Sequence, residues 1–400
     1  MAEHHRRHSQ ADDGHSADRQ EEPGRVDQYL RRARSRFQHR LRLEGDAVTR
    51  EKSTLEIHLE PLRRFLDDTA NNEIVINVPG EVLTEGKGLW SVHEVPAVTR
   101  TWCEELAKLV ANYSSQSIDV EHPMLGATLP TGERVQIVVP PVVKDISVTI
   151  RRPSADVMTF DQIFGFGTFD ETRCEQSLRL DPAEREAIEA TLPTDDKALL
   201  GLFRNKDWKA FLTQAVLRQK TIILSGKTGS GKTTLGNALC MMIPSHERIV
   251  TVEDAREMRL PHRNQVNLVY SRDNRGLAKL TPKQMFESAL RMRPDRILPA
   301  ELRGEEAYFF FQNVVNSGHP GPLTTVHANT SKLAFRRLAN MIQSSEEGRG
   351  LEQSVILEML YSLVDIVIQT DRVQVDESGE NRKVVTEIYF DPAFARKQMG

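Results

Sequence analysis

The sequence is poor in cysteine, in long apolar runs and in net charge, and each shortage excludes a class of protein. Three cysteines in 400 residues (Cys103, Cys174 and Cys240) are too few and too scattered for a disulfide framework or a four-cysteine zinc site. No stretch approaches the ~18 apolar residues of a membrane-crossing helix; the best run, 135–143, is short and holds two prolines. The chain opens Met-Ala-Glu-His-His-Arg-Arg-His with no apolar core segment, so neither a transmembrane helix nor a secretory signal is expected. Lys and Arg total 53 against 57 Asp and Glu, a net charge of −4, which argues against a protein coated in nucleic acid. What remains, 39% hydrophobic and 28% charged, is ordinary for a soluble cytoplasmic chain long enough for two or three domains.

Composition changes along the chain. Residues 1–24 carry almost nothing large and apolar, so they read as a disordered tail whose histidines (His4, His5, His8, His15) stand as solvated groups or as metal ligands. Across 25–43, seven arginines face only Asp27, a local charge of +6, while Val26, Leu30, Ala33, Phe37 and Leu41 recur at helical spacing. That pattern suits a helix on an anionic membrane surface, or equally one docked on its own domain.

Residues 51–152 read as an α+β domain. Leu55, Leu59, Leu62, Phe65 and Leu66 predict one amphipathic helix, 73–77 and 81–85 a hairpin about Pro79-Gly80, 89–95 a strand and 97–113 a helix; strands at 134–139 and 147–151 close it. Residues 153–208 read as a linker holding one helix, capped by Asp181 with Pro182 in its first turn. From 209 to 400, strand and helix signals alternate, which predicts a mostly parallel sheet wrapped by helices. The fold class expected is thus α/β, with the N-terminal α+β domain leading into a P-loop domain.

The chemistry concentrates in Gly226-Lys227-Thr228-Gly229-Ser230-Gly231-Lys232-Thr233-Thr234, a P-loop between an apolar β-branched strand and an apolar-periodic helix. Gly226, Gly229 and Gly231 let backbone N–H groups turn inward around phosphate oxygens, with Thr228, Ser230 and Thr234 completing the cradle. Lys232 reaches the β- and γ-phosphates, and the Thr233 hydroxyl ligates Mg²⁺; ATP and Mg²⁺ are the cofactors expected. Two later strands end in acids. One, 248–254, ends in Glu253-Asp254; the other, 296–301, ends in Glu301. Such acids polarise an attacking water or hold Mg²⁺ through water, or else serve as helix caps. A Gly-rich loop then enters a short strand carrying His319 and His327, which suits a γ-phosphate sensor or a core histidine better than a zinc site, since no further ligands sit nearby.

Four segments stand in order and spacing: the P-loop, 248–256 (Arg-Ile-Val-Thr-Val-Glu-Asp-Ala-Arg), 290–304 (Leu-Arg-Met-Arg-Pro-Asp-Arg-Ile-Leu-Pro-Ala-Glu-Leu-Arg-Gly) and 318–328 (Gly-His-Pro-Gly-Pro-Leu-Thr-Thr-Val-His-Ala). They resemble the Walker A, Asp-box, Walker B and His-box motifs of the type II/type IV secretion ATPase superfamily. Segments 72–81, 122–134 and 149–154 narrow the resemblance to the Vir-type traffic ATPases of type IV secretion systems, covering roughly 52–395. The resemblance implies a homohexameric ATPase with a RecA-like C-terminal domain, docked peripherally on the cytoplasmic face of a Gram-negative inner membrane. It implies inner-membrane ATPases, a coupling protein and channel components as partners; nucleic acid is not expected as a specific ligand, since only 25–43 is strongly basic. By match to the motifs, Glu301 is the Walker B glutamate, Glu253 and Asp254 form the Asp box and His327 is the principal His-box residue. Arg134 and Arg151 match arginines that reach the nucleotide from the N-terminal domain, a task suited to a planar guanidinium.

The sequence departs from that pattern at Pro299, which removes a ladder N–H and is expected to bulge the strand or lose a hydrogen bond there, at Glu305 in place of a usual glycine, and at Pro320 and Pro322 in the His-box loop. Alternatives are an ATPase of type II secretion or of type IV or tight-adherence pili, the first often marked by a four-cysteine insert missing here, and a RecA-like nucleic-acid motor, which would want a basic, aromatic groove. A scaffold that binds ATP without hydrolysing it is the third.

Overall fold

The computed structural model describes residues 53–86, 89–152, 158–270, 280–374 and 381–399. The expectations for the histidine-bearing tail and for the basic stretch 25–43 lie outside the described residues.

The N-terminal part starts not with one helix but with two. α1 (Thr54–His58) opens on a capping box between Ser53 and Glu56; a 3₁₀ turn (Glu60–Leu62) follows, then α2 (Arg63–Asp67). Pro61 has no N–H to donate, so the first helix cannot run through it. Leu55, Leu59, Leu62, Phe65 and Leu66 all remain buried. Strands β1 (Glu73–Ile76), β2 (Glu81–Gly86) and β3 (Leu89–Glu94) come next, then α3 (Arg100–Tyr113), whose first turn is capped by Thr99 Oγ1. β4 (Met124–Thr128), β5 (Arg134–Val138) and β6 (Ser147–Arg151) complete an antiparallel sheet of order β3-β2-β1-β6-β5-β4. β4 went unforeseen because Met-Leu-Gly-Ala-Thr has weak strand propensity; its pairing with β5 makes it a strand. Alternate residues of β1, β5 and β6 face a core shared with the three helices.

The segment expected to link the halves with one helix carries α4 (Phe160–Gly165), β7 (Arg173–Glu175), α5 (Pro182–Ala190) and α6 (Thr194–Arg204), and β7 joins the C-terminal sheet beside its last strand. α7 (Trp208–Leu217) leads to β8 (Ile222–Gly226), the P-loop and α8 (Lys232–Cys240). Then come β9 (Ile249–Glu253), β10 (Gln265–Val269), α9 (Pro282–Leu290), β11 (Arg296–Pro299), α10 (Glu306–Phe309) with a π turn after it, β12 (Leu323–Val326), α11 (Ser331–Ser344) and α12 (Gln353–Leu363). The hairpin strands β13 (Ile366–Gln374) and β14 (Asn381–Phe390) precede α13 (Pro392–Gln398).

β8, β9, β11 and β12 are buried at every residue, the signature of parallel strands covered on both faces. They fall into two ladders, β10-β9-β11 and β12-β8-β13-β14-β7, joined by a bridge between Glu301 and Thr325. Pro299 explains where the sheet parts. Arg296 N and Ala300 N both donate to β9, to Arg248 O and Val252 O, so the missing N–H of Pro299 falls on the β12 side. The β9–β11 register runs on through Pro299 opposite Val252 without the expected bulge. Because β8, β9, β11, β12 and β13 run the same way, their carboxyl ends gather at one edge, where ligands bind in open α/β sheets. Among the described residues no helix is long and apolar enough to cross a membrane.

Candidate active site

At that edge lies a cleft of about 1090 Å³, walled by the P-loop on one side and by the N-terminal sheet on the other. Gly226, Gly229 and Gly231 all take positive φ (155°, 78° and 95°). At Gly226 a Cβ would lie 2.4 Å from Thr370 O, so no other residue fits. Ser230 is drawn inward rather than toward ligand: its hydroxyl donates to Lys227 O and pairs with Thr370 Oγ1 at 2.7 Å. Thr228, Gly229, Ser230, Gly231, Lys232, Thr233 and Thr234 line the cleft, and Gly226 stands behind them.

Lys232 is buried, and its ammonium donates to Gly226 O (2.6 Å) and Lys227 O (2.8 Å) and reaches His327 Nδ1 at 3.4 Å. Burial pushes its pKa down to about 8, against the pull of Glu301. Glu301 faces the cleft from the end of β11. Its Oε2 accepts a 2.6 Å hydrogen bond from Arg303, and His327 Nε2 stands 3.2 Å from its Oε1, in ion-pair range but out of line for a hydrogen bond. Burial, then the Lys232 charge, hold His327 below the usual imidazole value, with Glu301 opposing. A neutral His327 keeps one ring nitrogen able to accept a proton. His319, seven residues before the strand ends, does not line the cleft.

The acids of β9 go elsewhere. Glu253 is 1% exposed; its Oε1 accepts from the Thr251 hydroxyl and its Oε2 from the backbone N–H groups of Glu257 and Met258. Its pKa is raised, burial outweighing those hydrogen bonds. Expected to face the nucleotide, it instead ties down the 254–258 loop. Asp254 accepts from Arg134 at 3.0 Å and lies 3.9 Å from Arg303. The acid that the loop returns to the cleft is Glu257, whose Oε2 lies 3.5 Å from the Thr233 hydroxyl. Sequence reading passed over Glu257, although three acids within five residues, Glu253, Asp254 and Glu257, were a signal.

Arg134 and Arg151 are direct partners across β5 and β6, and both line the cleft. Arg134 spans the two parts of the chain, pairing with Asp254 (3.0 Å) and Glu257 (2.9 Å), while Arg151 sits 3.5 Å from Glu73. Arg152, Arg303, Arg372 and Lys383, none of them foreseen, also line it. The lining therefore carries a surplus of cations around a glycine cradle, the arrangement that holds a polyphosphate. Thr233 and Glu257 set a hydroxyl and a carboxylate oxygen 3.5 Å apart, donors of the hard kind that could hold Mg²⁺.

Residues 192–388 match the family described as type II/IV secretion system protein. The type IV secretion system protein VirB11 of Bartonella quintana is 44% identical over 364 residues, 90% of this chain and 98% of that protein. The protein of the same name from Brucella suis is 39% identical over 352 residues, covering 87% and 93%. A crystal structure of the pilus retraction motor PilT with bound ADP shares the fold at a TM-score of 0.51, with 16% identity over 87% of each chain.

Proposed function

The chain belongs to the VirB11 family of type IV secretion system ATPases, and from that premise we propose that it works as a homohexamer whose ATP hydrolysis, in the cleft between the P-loop and the N-terminal sheet, drives substrate transfer or pilus assembly. The observation that carries the reading is the meeting of Lys232, Glu301 and His327 within hydrogen-bond or ion-pair reach beside an intact P-loop.

In this reading the P-loop N–H groups and Lys232 take the polyphosphate, the ammonium exchanging its two carbonyl partners for phosphate oxygens. Thr233 and Glu257 would hold Mg²⁺, which would supply charge neutralisation for the polyphosphate. Glu301 orients the attacking water and accepts its proton, and Arg303 holds that carboxylate in place, with the His327 ring beside it. Arg134 and Arg151 bring the N-terminal sheet onto the same ligand, so that nucleotide binding moves the two parts as rigid bodies. The partners that fit are the channel, the coupling protein and the other inner-membrane ATPases at the cytoplasmic face, with 25–43 as the membrane-facing segment.

The test is Lys232→Ala, in vitro and at the native locus. ATP hydrolysis and substrate transfer are expected to disappear together, with the protein still accumulating, and sedimentation of the wild type with Mg-ADP is expected to give a six-fold assembly. Normal transfer by Lys232→Ala sinks the motor reading; a monomer under those conditions sinks the ring.

A further inference from the structure

The C-terminal hairpin puts two cations beside the P-loop that no motif announces. β13 pairs with β8 as far as Thr370 opposite Gly226, then runs on past the end of β8, so the hairpin overhangs the glycine loop. A register shift between Gln369 and Thr370 breaks the β13–β14 ladder there, and such bulges turn and re-aim the strand beyond them. Beyond it Arg372 and Lys383 stand directly opposite each other. Like charges at directly opposed positions destabilise a ladder.

Nothing in the described chain offsets that repulsion. Neither side chain has an ion-pair partner among the described residues, and the adjacent Asp371 is engaged with Lys227 at 3.7 Å. Both cations line the cleft. A Cβ on Gly231 would lie 3.1 Å from Lys383 Cδ, and one on Gly229 would lie 3.7 Å from Arg372 Nη1, so the pair sits against the glycines that cradle phosphate. Burial, then Arg372 and Arg151, lower the Lys383 pKa, as expected of a cation crowded by others.

We propose that Arg372 and Lys383 form a second phosphate clamp beside the P-loop glycines, binding the polyphosphate of a nucleoside di- or triphosphate together with Lys232. The clamp rests on the nucleotide-site reading above and adds a binding role for the C-terminal hairpin. The anion removes the cross-strand repulsion, so ligand binding and hairpin order reinforce each other. Since both ADP and ATP carry the phosphates within reach of the P-loop glycines, the clamp holds substrate and product alike.

The experiment measures binding of mant-ADP with Mg²⁺ to the full chain, with inorganic pyrophosphate as competitor. Arg372→Gln with Lys383→Gln is expected to weaken both ligands about tenfold, roughly 1.4 kcal/mol, and to flatten the salt dependence of binding, with a ligand-free melting temperature no lower than the wild type's because the cross-strand repulsion is gone. The charge-keeping variant, Arg372→Lys with Lys383→Arg, is expected to recover most of the affinity. Wild-type binding by the double glutamine variant, beside lost binding by Lys232→Ala, overturns the clamp alone. Weakened mant-ADP binding with unchanged pyrophosphate competition also overturns it, because the pair would then meet base or ribose. Wild-type binding by Lys232→Ala overturns the nucleotide-site reading and the clamp with it.

Discussion

β9 and β11 lie side by side, run the same way and lead into acids, yet those acids do opposite things. Glu253 closes β9 with its carboxylate turned into the protein, both oxygens taken by Thr251 and by the loop's own backbone. Glu301, two residues past β11, faces the cleft with Arg303 and His327 beside it. Side chains alternate along a strand, and Val252 stands opposite Pro299; Glu253 comes one residue after that pair and Glu301, still bridged to Thr325, two residues after it, so the two acids take opposite faces. An acid at a strand end therefore marks a site only together with its position relative to the last ladder residue.

The largest test separates the two ends directly. Glu301→Gln is expected to bind ATP but to lower kcat about 10²- to 10³-fold with an unchanged melting temperature, because it loses the base while keeping the shape. Glu253→Gln is expected to do the reverse. It puts an amide among donors that Glu253 satisfies as an acceptor, so it costs about 1–3 kcal/mol of stability, read as a lower melting temperature, with a smaller loss of kcat. Steady-state kinetics and thermal unfolding of both variants decide. A thermally normal Glu253→Gln as inactive as Glu301→Gln would put the chemistry at β9 and end the distinction.

How far the site was legible follows the same line. The P-loop is contiguous, and its glycines have one physical use, so residues 226–234 could be placed on a strand–loop–helix from their order alone. Glu301 and His327 were found as strand ends and Arg134 and Arg151 by resemblance, and all four line the cleft. Glu257 was missed because it depends on a loop reversal that Glu253 enforces through its hydrogen bonds. Arg372 and Lys383 were out of reach, since ten residues of sequence stand between them and only strand pairing sets them opposite each other. The fold failed to read in the same places: α6 carried Pro193 ahead of it and Asp195 and Asp196 in its first turn, yet packing rather than propensity decides that a linker condenses into the sheet's neighbourhood.

Proton linkage sharpens the comparison with a smaller effect. In the free protein Lys232 titrates at about 8, below the usual lysine value, chiefly through burial, and Glu301 pulls it upward, whereas the Glu253 carboxylate is taken up by its own loop. A polyphosphate favours the ammonium form. Below pH 8 the lysine is already charged and affinity is flat. Above pH 8 binding must take up a proton, so Kd rises by up to tenfold per pH unit until the pKa of the bound state is passed. Calorimetry in buffers of different ionisation enthalpy reads that proton. Glu301→Gln is expected to move the break below 8, Glu253→Gln to leave it in place and Lys232→Arg to abolish it, since guanidinium stays charged throughout. A break that Glu301→Gln leaves unmoved would mean that Glu301 does not act on the lysine.

The smallest expected effect concerns what β9 does contribute. Its loop returns Glu257 to within 3.5 Å of the Thr233 hydroxyl, where the carboxylate and the hydroxyl would hold Mg²⁺ in the reading proposed above. Glu257 also accepts the ion pair from Arg134 at 2.9 Å, so it ties the metal-side loop to the N-terminal sheet. Glu257→Gln keeps a ligating oxygen but loses the charge. The Mg²⁺ concentration for half-maximal hydrolysis is therefore expected to rise several-fold, while the rate at saturating Mg²⁺ stays within a few-fold of the wild type. Titrating Mg²⁺ at fixed ATP measures both quantities. If the saturated rate falls as far as in Glu301→Gln, the loop after β9 supplies the carboxylate that activates water, and the roles drawn for the two strand ends exchange.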